Sequence, residues 1–307
     1  MTLLGKKQVI KPNRVKFSTS DNIFYAVTGI ILFLLFILFM YPLIYVVSAS
    51  FSSGAAVAAG RVILWPVDLS IEGYLHVFRH NLILRSYWNT IRYTTLGTFF
   101  SITMVMVAAY PLSRKDFVGK DKIMLIFVFT MLFNGGLIPN FLLMRDLGIL
   151  NTIWVMTVPT ALSIFYVIVA RTFIQSSIPD ELLESAQIDG CSDVRYFFSI
   201  LLPLSKAVIA VICLFAAVAH WNAFFSAIVF LRDRDMVPLQ IVLREILILN
   251  QMDMSMVDDP ELIFQMMHIA AVIRYALIVV ATLPILCVYP FAQKYFVQGV
   301  MIGSVKG

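Results

Sequence analysis

A chain of 307 residues that is 60% hydrophobic and only 13% charged is not an ordinary soluble domain, for which about 25% charged residues is usual. Its mean hydropathy of +0.89 points to a surface that meets lipid or other apolar helices. The net charge of +5 is not gathered with aromatics into a nucleic-acid face, and Cys191, Cys213 and Cys287 lie too far apart for a zinc site or a disulfide framework.

Residues 1–22 read as a cytoplasmic N-terminal lead, with Lys6, Lys7, Lys11, Arg14 and Lys16 and no acid through residue 20. The apolar run 23–51 that follows exceeds the ~7–15 residues of a signal-peptide core. It is expected to stay as span 1 (24–50), so that the mature protein keeps its N-terminus. An outer loop (52–85) leads to span 2 (86–112), and Arg114, Lys115, Lys120 and Lys122 mark a short basic inner loop. Span 3 is regular from 123 to about 133 and then meets Asn134-Gly135-Gly136-Leu137-Ile138-Pro139, which cannot continue a regular helix. A short interfacial helix is expected at 141–151, span 4 at 152–170, an inner loop at 171–203 and span 5 at 204–230. The largest outer loop (231–266), span 6 (269–291) and an inner tail (293–307) complete the chain. The fold class is therefore all-α membrane protein, with a six-span domain over 23–292 and both termini cytoplasmic. Of the 23 Lys and Arg, 14 fall in segments assigned to the inner side, seven outside, and Arg92 and Arg274 within spans, as the positive-inside rule requires. The two arginines sit near outer span ends, where their side chains can reach the headgroups.

The inner loop breaks the charge pattern. It holds five acids, Asp180, Glu181, Glu184, Asp189 and Asp193, against Arg171 and Arg195. Acids scarcely influence orientation, so they call for another purpose, either a basic groove on a partner or plain solvation. Locally the loop reads as two short helices joined at Gly190. Ser177 can cap the first, with Pro179 in its first turn, and Ile178, Leu182, Leu183 and Ala186 form an apolar face. Gly190 supplies a left-handed position, Ser192 can cap the second helix, and Pro203 ends it.

Glu184-Ser185-Ala186, three residues, Gly190, nine residues, Ile200, one residue, Leu202-Pro203 resembles the EAA loop of ABC importer permeases. Every spacing is kept, and Ser185 for the middle alanine is the one departure. The run Asn134–Pro139 is similar to the oligosaccharide branch of carbohydrate ABC permeases, the LplC-like and YtcP-like group. The end of the chain, Gly299 to Gly307, is similar to the tail of the MalG permease. The resemblance covers the chain from about residue 20 onward. It implies a six-span permease in the bacterial inner (cytoplasmic) membrane, paired as a heterodimer with a second, related permease. Two ATPase subunits, which would bind ATP and Mg, and an extracellular sugar-binding protein complete the implied complex. Glu184, Ser185, Ala186, Asp189, Gly190, Ile200, Leu202 and Pro203 would then form the coupling helix and its exit. Glu184 would form a salt bridge to the ATPase, Ala186 and Gly190 would permit close approach, and Pro203 would fix the exit into span 5. By the same resemblance Gly303, Val305, Lys306 and Gly307 would reach the ATPases, and the 231–266 loop would meet the binding protein.

No Gly-x-x-x-x-Gly-Lys-Ser/Thr loop occurs in the sequence, so any nucleotide belongs to another polypeptide. The chain is expected to be non-catalytic, with no cofactor or metal of its own. His76 and His80 could share a helix face but have no carboxylate arranged as in a zinc protease. No span carries a mid-membrane carboxylate, which argues against ion-driven transport. Asn134, Tyr166, Trp221, Asn222 and Phe225, with Phe224, are candidates for a sugar path, since aromatic faces with amide rims suit sugars. Ordinary helix packing would explain the same residues. Two alternatives stay open: an importer for a non-sugar solute, and a membrane scaffold or sensor subunit that transports nothing.

Overall fold

Long apolar runs with few charges satisfy their backbone polar groups most cheaply as helices, because lipid offers no hydrogen-bond partner. The computed structural model, which describes residues 18–248 and 260–304, is built accordingly. Its helices are α1 (Thr19–Ser50), α2 (Gly54–Ala58), α3 (Glu72–Arg79), α4 (Asn81–Ser113), α5 (Lys120–Leu132), α6 (Leu137–Asp146), α7 (Ile153–Thr157) and α8 (Ile164–Ser177). They continue as α9 (Asp180–Ile188), α10 (Asp193–Tyr196), a π-turn (Phe197–Leu201), α11 (Leu202–Leu204), α12 (Lys206–Trp221), α13 (Phe225–Phe230), α14 (Leu239–Ile248) and α15 (Pro260–Ser304). No strand is formed among the described residues, and Ser52 and Leu69 make one isolated antiparallel bridge.

Among the described residues three helices are long and apolar enough to cross a bilayer: α1, α4 and the 268–290 part of α15. Two bent pairs raise the number to five: α5 with α6, at 112°, and the segment from α10 to α11 with α12, at 79°. The remaining predicted span, span 4, corresponds to α7 and α8. Helix α8 is apolar but has 14 residues, about 21 Å of rise against a hydrocarbon core of ~30 Å.

Several predicted boundaries move. Span 4 does not run unbroken from 152 to 170, because α7 stops at Thr157, two residues before Pro159. Its second half extends to Ser177, so the inner loop begins later than residue 171. Ser177 is thus the end of α8 rather than a cap, and Pro179 occupies the N-cap position of α9. Span 5 breaks between Trp221 and Phe225. The interfacial helix starts earlier than 141, at Leu137. The outer loop after residue 231 contains α14, whose Leu239, Ile241 and Val242 are buried. Span 6 and the tail form one continuous helix, α15, through Ser304. Part of the outer loop (249–259) and the residues Val305, Lys306 and Gly307 lie outside the described residues, while Gly303 falls in the last turn of α15.

Helix α4 is the axis of the bundle. Along its N-terminal half, Asn89 Nδ2 donates to the carbonyls of Asp235 (2.8 Å) and Val237 (3.2 Å). The Tyr93 hydroxyl donates to Met236 O (2.7 Å), and the Leu239 N–H donates to Thr90 Oγ1 (2.8 Å). Along its C-terminal half, Val105, Met106, Ala109 and Leu112 enter a core with Val167, Ala170 and Ile174 of α8 and Val208 and Ile212 of α12. By contrast α1 buries only Ser48, Ala49 and Ser50 at its end, and residues 30–39 present apolar side chains outward all round. Such a helix is made for lipid or for another subunit.

Candidate functional site

The elbow between α8 and α12 is assembled from its own sequence. Asp180 and Glu181 begin α9, where the helix dipole favours anions. Gly190 has φ +73°, a left-handed value that a side chain disfavours, and it reverses the chain between α9 and α10. The Ser192 hydroxyl then caps α10 by accepting the Arg195 N–H. Pro203 does not end this segment at once. It has no N–H to give Ser199, and its ring crowds that carbonyl. The turn before it is widened into π geometry, with the Leu202 N–H donating to Phe197 O. The chain then bends at Ser205 into α12.

The elbow has two faces. Ile178, Ala186, Tyr196, Phe197 and Leu201 are buried in the same core as the adjoining ends of α4, α8 and α12, with Leu183, Ile200 and Leu202 packed alongside. Outward it shows Asp180, Glu181, Glu184, Ser185, Asp189 and Gly190, with Leu182 41%, Ile188 87% and Val194 68% exposed. Leu182 therefore leaves the apolar face predicted for it. A cleft of about 310 Å³ lies between α9 and the loop after α4, lined by Asp180, Glu181, Glu184 and Gln187 on one side and Arg114, Lys115 and Asp116 on the other.

Arg114, which the sequence marks only as a topological charge, is the hub of this region. Its guanidinium donates to both carboxylate oxygens of Asp116 (Nε 2.8 Å, Nη2 2.5 Å), to the Tyr110 hydroxyl (3.1 Å) and to Asp193 on α10. These bonds, with Asp116 foremost, hold the guanidinium charge still more firmly than usual despite partial burial. In turn the Asp116 carboxyl is held below the ordinary carboxylate range by its bond to Arg114. Lys115 reaches Asp180 of α9 (2.5 Å), and that bond raises its pKa. The carbonyls at the end of α4, which have no partner within the helix, are capped from outside. Arg171 Nε donates to Leu112 O (2.9 Å), Gln175 Nε2 to Ser113 O (3.2 Å), and Lys120 Nζ to Arg114 O (2.9 Å) and Lys115 O (3.3 Å).

Nearer the middle of the bundle, a cavity of about 410 Å³ opens where two helices are interrupted together. It is lined by Thr160 and Ser163 from the gap between α7 and α8, and by Asn222, Ala223 and Phe224 from the gap between α12 and α13. Irregular backbone at membrane depth is tolerated where it borders a cavity or is covered by protein, and both gaps do so here. Ser101, Tyr166, His220, Phe225 and Ser226 contribute further, and the lining holds no Lys, Arg, Asp or Glu.

Of the five predicted path residues, Tyr166, Asn222 and Phe225 line this cavity. Trp221 is buried behind it, with Nε1 donating to Ala281 O (3.0 Å) and its ring edge-on to Tyr87. It is a packing residue whose polar tip is satisfied. Asn134 lies in the break between α5 and α6, exposed, and its Oδ1 accepts the Gly136 N–H (2.9 Å). Its turn explains it, and the cavity does not include it. His220 is among the lining residues the sequence reading missed, with Ser101, Thr160, Ser163 and Ser226. A Cβ on Gly97 would come within 2.3 Å of its ring, so only glycine lets α4 lie this close to α12. Nothing in the sequence pairs positions 97 and 220. Among the described residues no group of His, Cys, Asp and Glu is arranged for a metal ion.

Comparison with known proteins agrees with this architecture. The chain is 42% identical over 273 residues to the polygalacturonan/rhamnogalacturonan transport system permease protein YtcP of Bacillus subtilis, covering 87% of this chain and 92% of that one. Protein LplC of the same organism is 40% identical over 266 residues, covering 87% and 89%. Among solved structures, a bacterial ABC transporter involved in the import of the acidic polysaccharide alginate contains a chain with TM-score 0.81 and 35% identity, covering 92% of this chain and 99% of that one. Residues 94–302 match the family described as the inner membrane component of binding-protein-dependent transport systems. With that match over most of the chain, and an elbow and cavity of the kind just described, this protein belongs to that permease family.

Proposed function

We propose that this chain is one of two permease subunits of an ABC importer for a carbohydrate, most simply an oligosaccharide. The observation that carries the reading is the two-faced elbow. Its inner face is fused to the core that ends α4, α8 and α12, while its outer face combines acids with Leu182, Ile188 and Val194 exposed. Three exposed apolar side chains set among the acids of one short elbow suit a docking surface for an ATPase subunit. ATP-driven closure of two such subunits moves the elbow, and the elbow moves the inner ends of three helices as one body.

The sugar assignment draws on the named relatives and on the cavity lining. Tyr166, Phe224 and Phe225 offer flat apolar faces, and Ser101, Thr160, Ser163, Asn222 and Ser226 offer hydroxyl and amide partners. That combination suits a polyhydroxylated ring. The cavity would be half of a path completed by the second permease, and a binding protein would deliver the solute.

The test uses complexes reconstituted with ATPase, partner permease and binding protein. Gly190→Val and Glu184→Lys should abolish most binding-protein-stimulated ATP hydrolysis, and normal stimulation in both would overturn the reading. A thermal-shift screen of neutral and uronate oligosaccharides, amino acids and peptides on the binding protein tests the solute. Stabilisation by peptides alone would replace the sugar assignment.

A further inference from the structure

We propose that Arg114 is a positioning residue for transport: it clamps the coupling elbow to α4, so that elbow motion reaches the cavity through α4 as well as through α12. The proposal rests on the importer reading above, and it names a second mechanical route within it. The first route is the covalent one, from α10 through the π-turn and the bend at Ser205 into α12. A π-turn followed by a 79° bend is a compliant joint, and π-turns often occur where a helix has to yield.

The second route is stiffer. Arg114 joins Asp193 across 79 residues of sequence, and the side chain is only 12% exposed. A planar guanidinium bonded to two carboxylates and a phenol has little freedom left. Its own backbone is held as well, because Lys120 takes the Arg114 and Lys115 carbonyls, while Arg171 and Gln175 take those of Leu112 and Ser113. Lys115 adds a bond to Asp180 on α9. Both halves of the elbow are therefore bonded to the end of α4. The same helix supplies Ser101 to the cavity and packs Gly97 against His220. A displacement of the elbow carried into α4 changes the width of the cavity directly.

The test follows α4 by chemistry that needs no knowledge of the solute. In full complexes with Cys191, Cys213 and Cys287 replaced, Ser101→Cys is labelled with N-ethylmaleimide before and after trapping with ATP and vanadate. Ser101 is 2% exposed in this structure, so opening of the cavity should raise its labelling rate. The rise should fall by about fivefold in Arg114→Gln and in Asp193→Asn, the change expected when one link of a coupled network is cut. ATP hydrolysis should continue in both. The double variant should do no further harm than Arg114→Gln alone, because Asp193→Asn only takes the charge from a bond that Arg114→Gln already removes. A merely structural role would reduce the amount of assembled complex without changing the response of each assembled one. A full nucleotide response in Arg114→Gln and Asp193→Asn overturns the clamp. If Arg114→Gln does not assemble, Asp193→Asn decides alone, since it leaves Arg114 bonded to Asp116 and Tyr110. If the unaltered parent shows no nucleotide response while hydrolysing ATP, the coupling reading itself fails, a result distinct from failure of the clamp.

Discussion

Gly97 and Arg114 show how much depends on single positions that look ordinary in the sequence. At Gly97 the missing Cβ is what admits the His220 ring, so Gly97→Ala must push the ring or separate α4 from α12. Overpacking of this kind costs about 1–3 kcal/mol. Thermal unfolding in detergent should show the loss, and His220→Ala should relieve it, because the clash of 2.3 Å is with the imidazole and not with backbone. If the double variant is no more stable than Gly97→Ala alone, the close approach is not what the glycine serves. At Asp116 the sign of the pH effect is fixed. Its carboxyl is depressed by Arg114, so the contribution of the pair is complete above the ordinary carboxylate value of about 4. It is lost only as the pH falls through the depressed value. The stability difference between the parent and Asp116→Asn should therefore be constant from pH 8 to about 5 and shrink in stronger acid.

At the level of elements, the boundaries that composition could reveal were those marked by glycine or by charge. The cluster Asn134–Pro139 announces the 112° bend between α5 and α6, and Gly190 and Ser192 act in the elbow as their types suggest. The breaks at 158–163 and 222–224 were hidden inside apolar runs. Pro159 is the one local signal for the first, and the second has no strong breaker at all, so hydropathy reads each as an unbroken span. Pro203 was legible as a helix breaker, but its effect is displaced. It widens the turn before it into π geometry, and the bend falls after it at Ser205. Pro203→Ala restores the N–H that Ser199 lacks and removes the ring, so the segment should relax to α geometry. That relaxation rotates everything before it by about one residue, roughly 100°, and turns Glu184 away from its present direction. Binding-protein-stimulated ATP hydrolysis should fall while the complex still assembles. Unchanged stimulation would mean that the π-turn has no part in setting the elbow's direction.

The molecule as a whole has two ends of different chemistry. One end gathers the elbow, the 114–120 loop and the cleft between them. The other gathers α2, α3, the 233–239 segment and α14, tied to the N-terminal half of α4 through Asn89, Thr90 and Tyr93. The excess of Lys and Arg predicts that the first end faces the cytoplasm. The native Cys191 sits in the elbow beside Gly190, and Ser70, which is partly exposed, lies just before α3 at the opposite end. With Cys213 and Cys287 replaced, a membrane-impermeant maleimide applied to intact cells should leave Cys191 unmodified and should label a Ser70→Cys variant. In inside-out vesicles the pattern should reverse. Labelling of Cys191 from the outside would place the acids of the elbow beyond the reach of any cytoplasmic ATPase. The same result would leave the exposed Leu182, Ile188 and Val194 without the partner for which they are shaped.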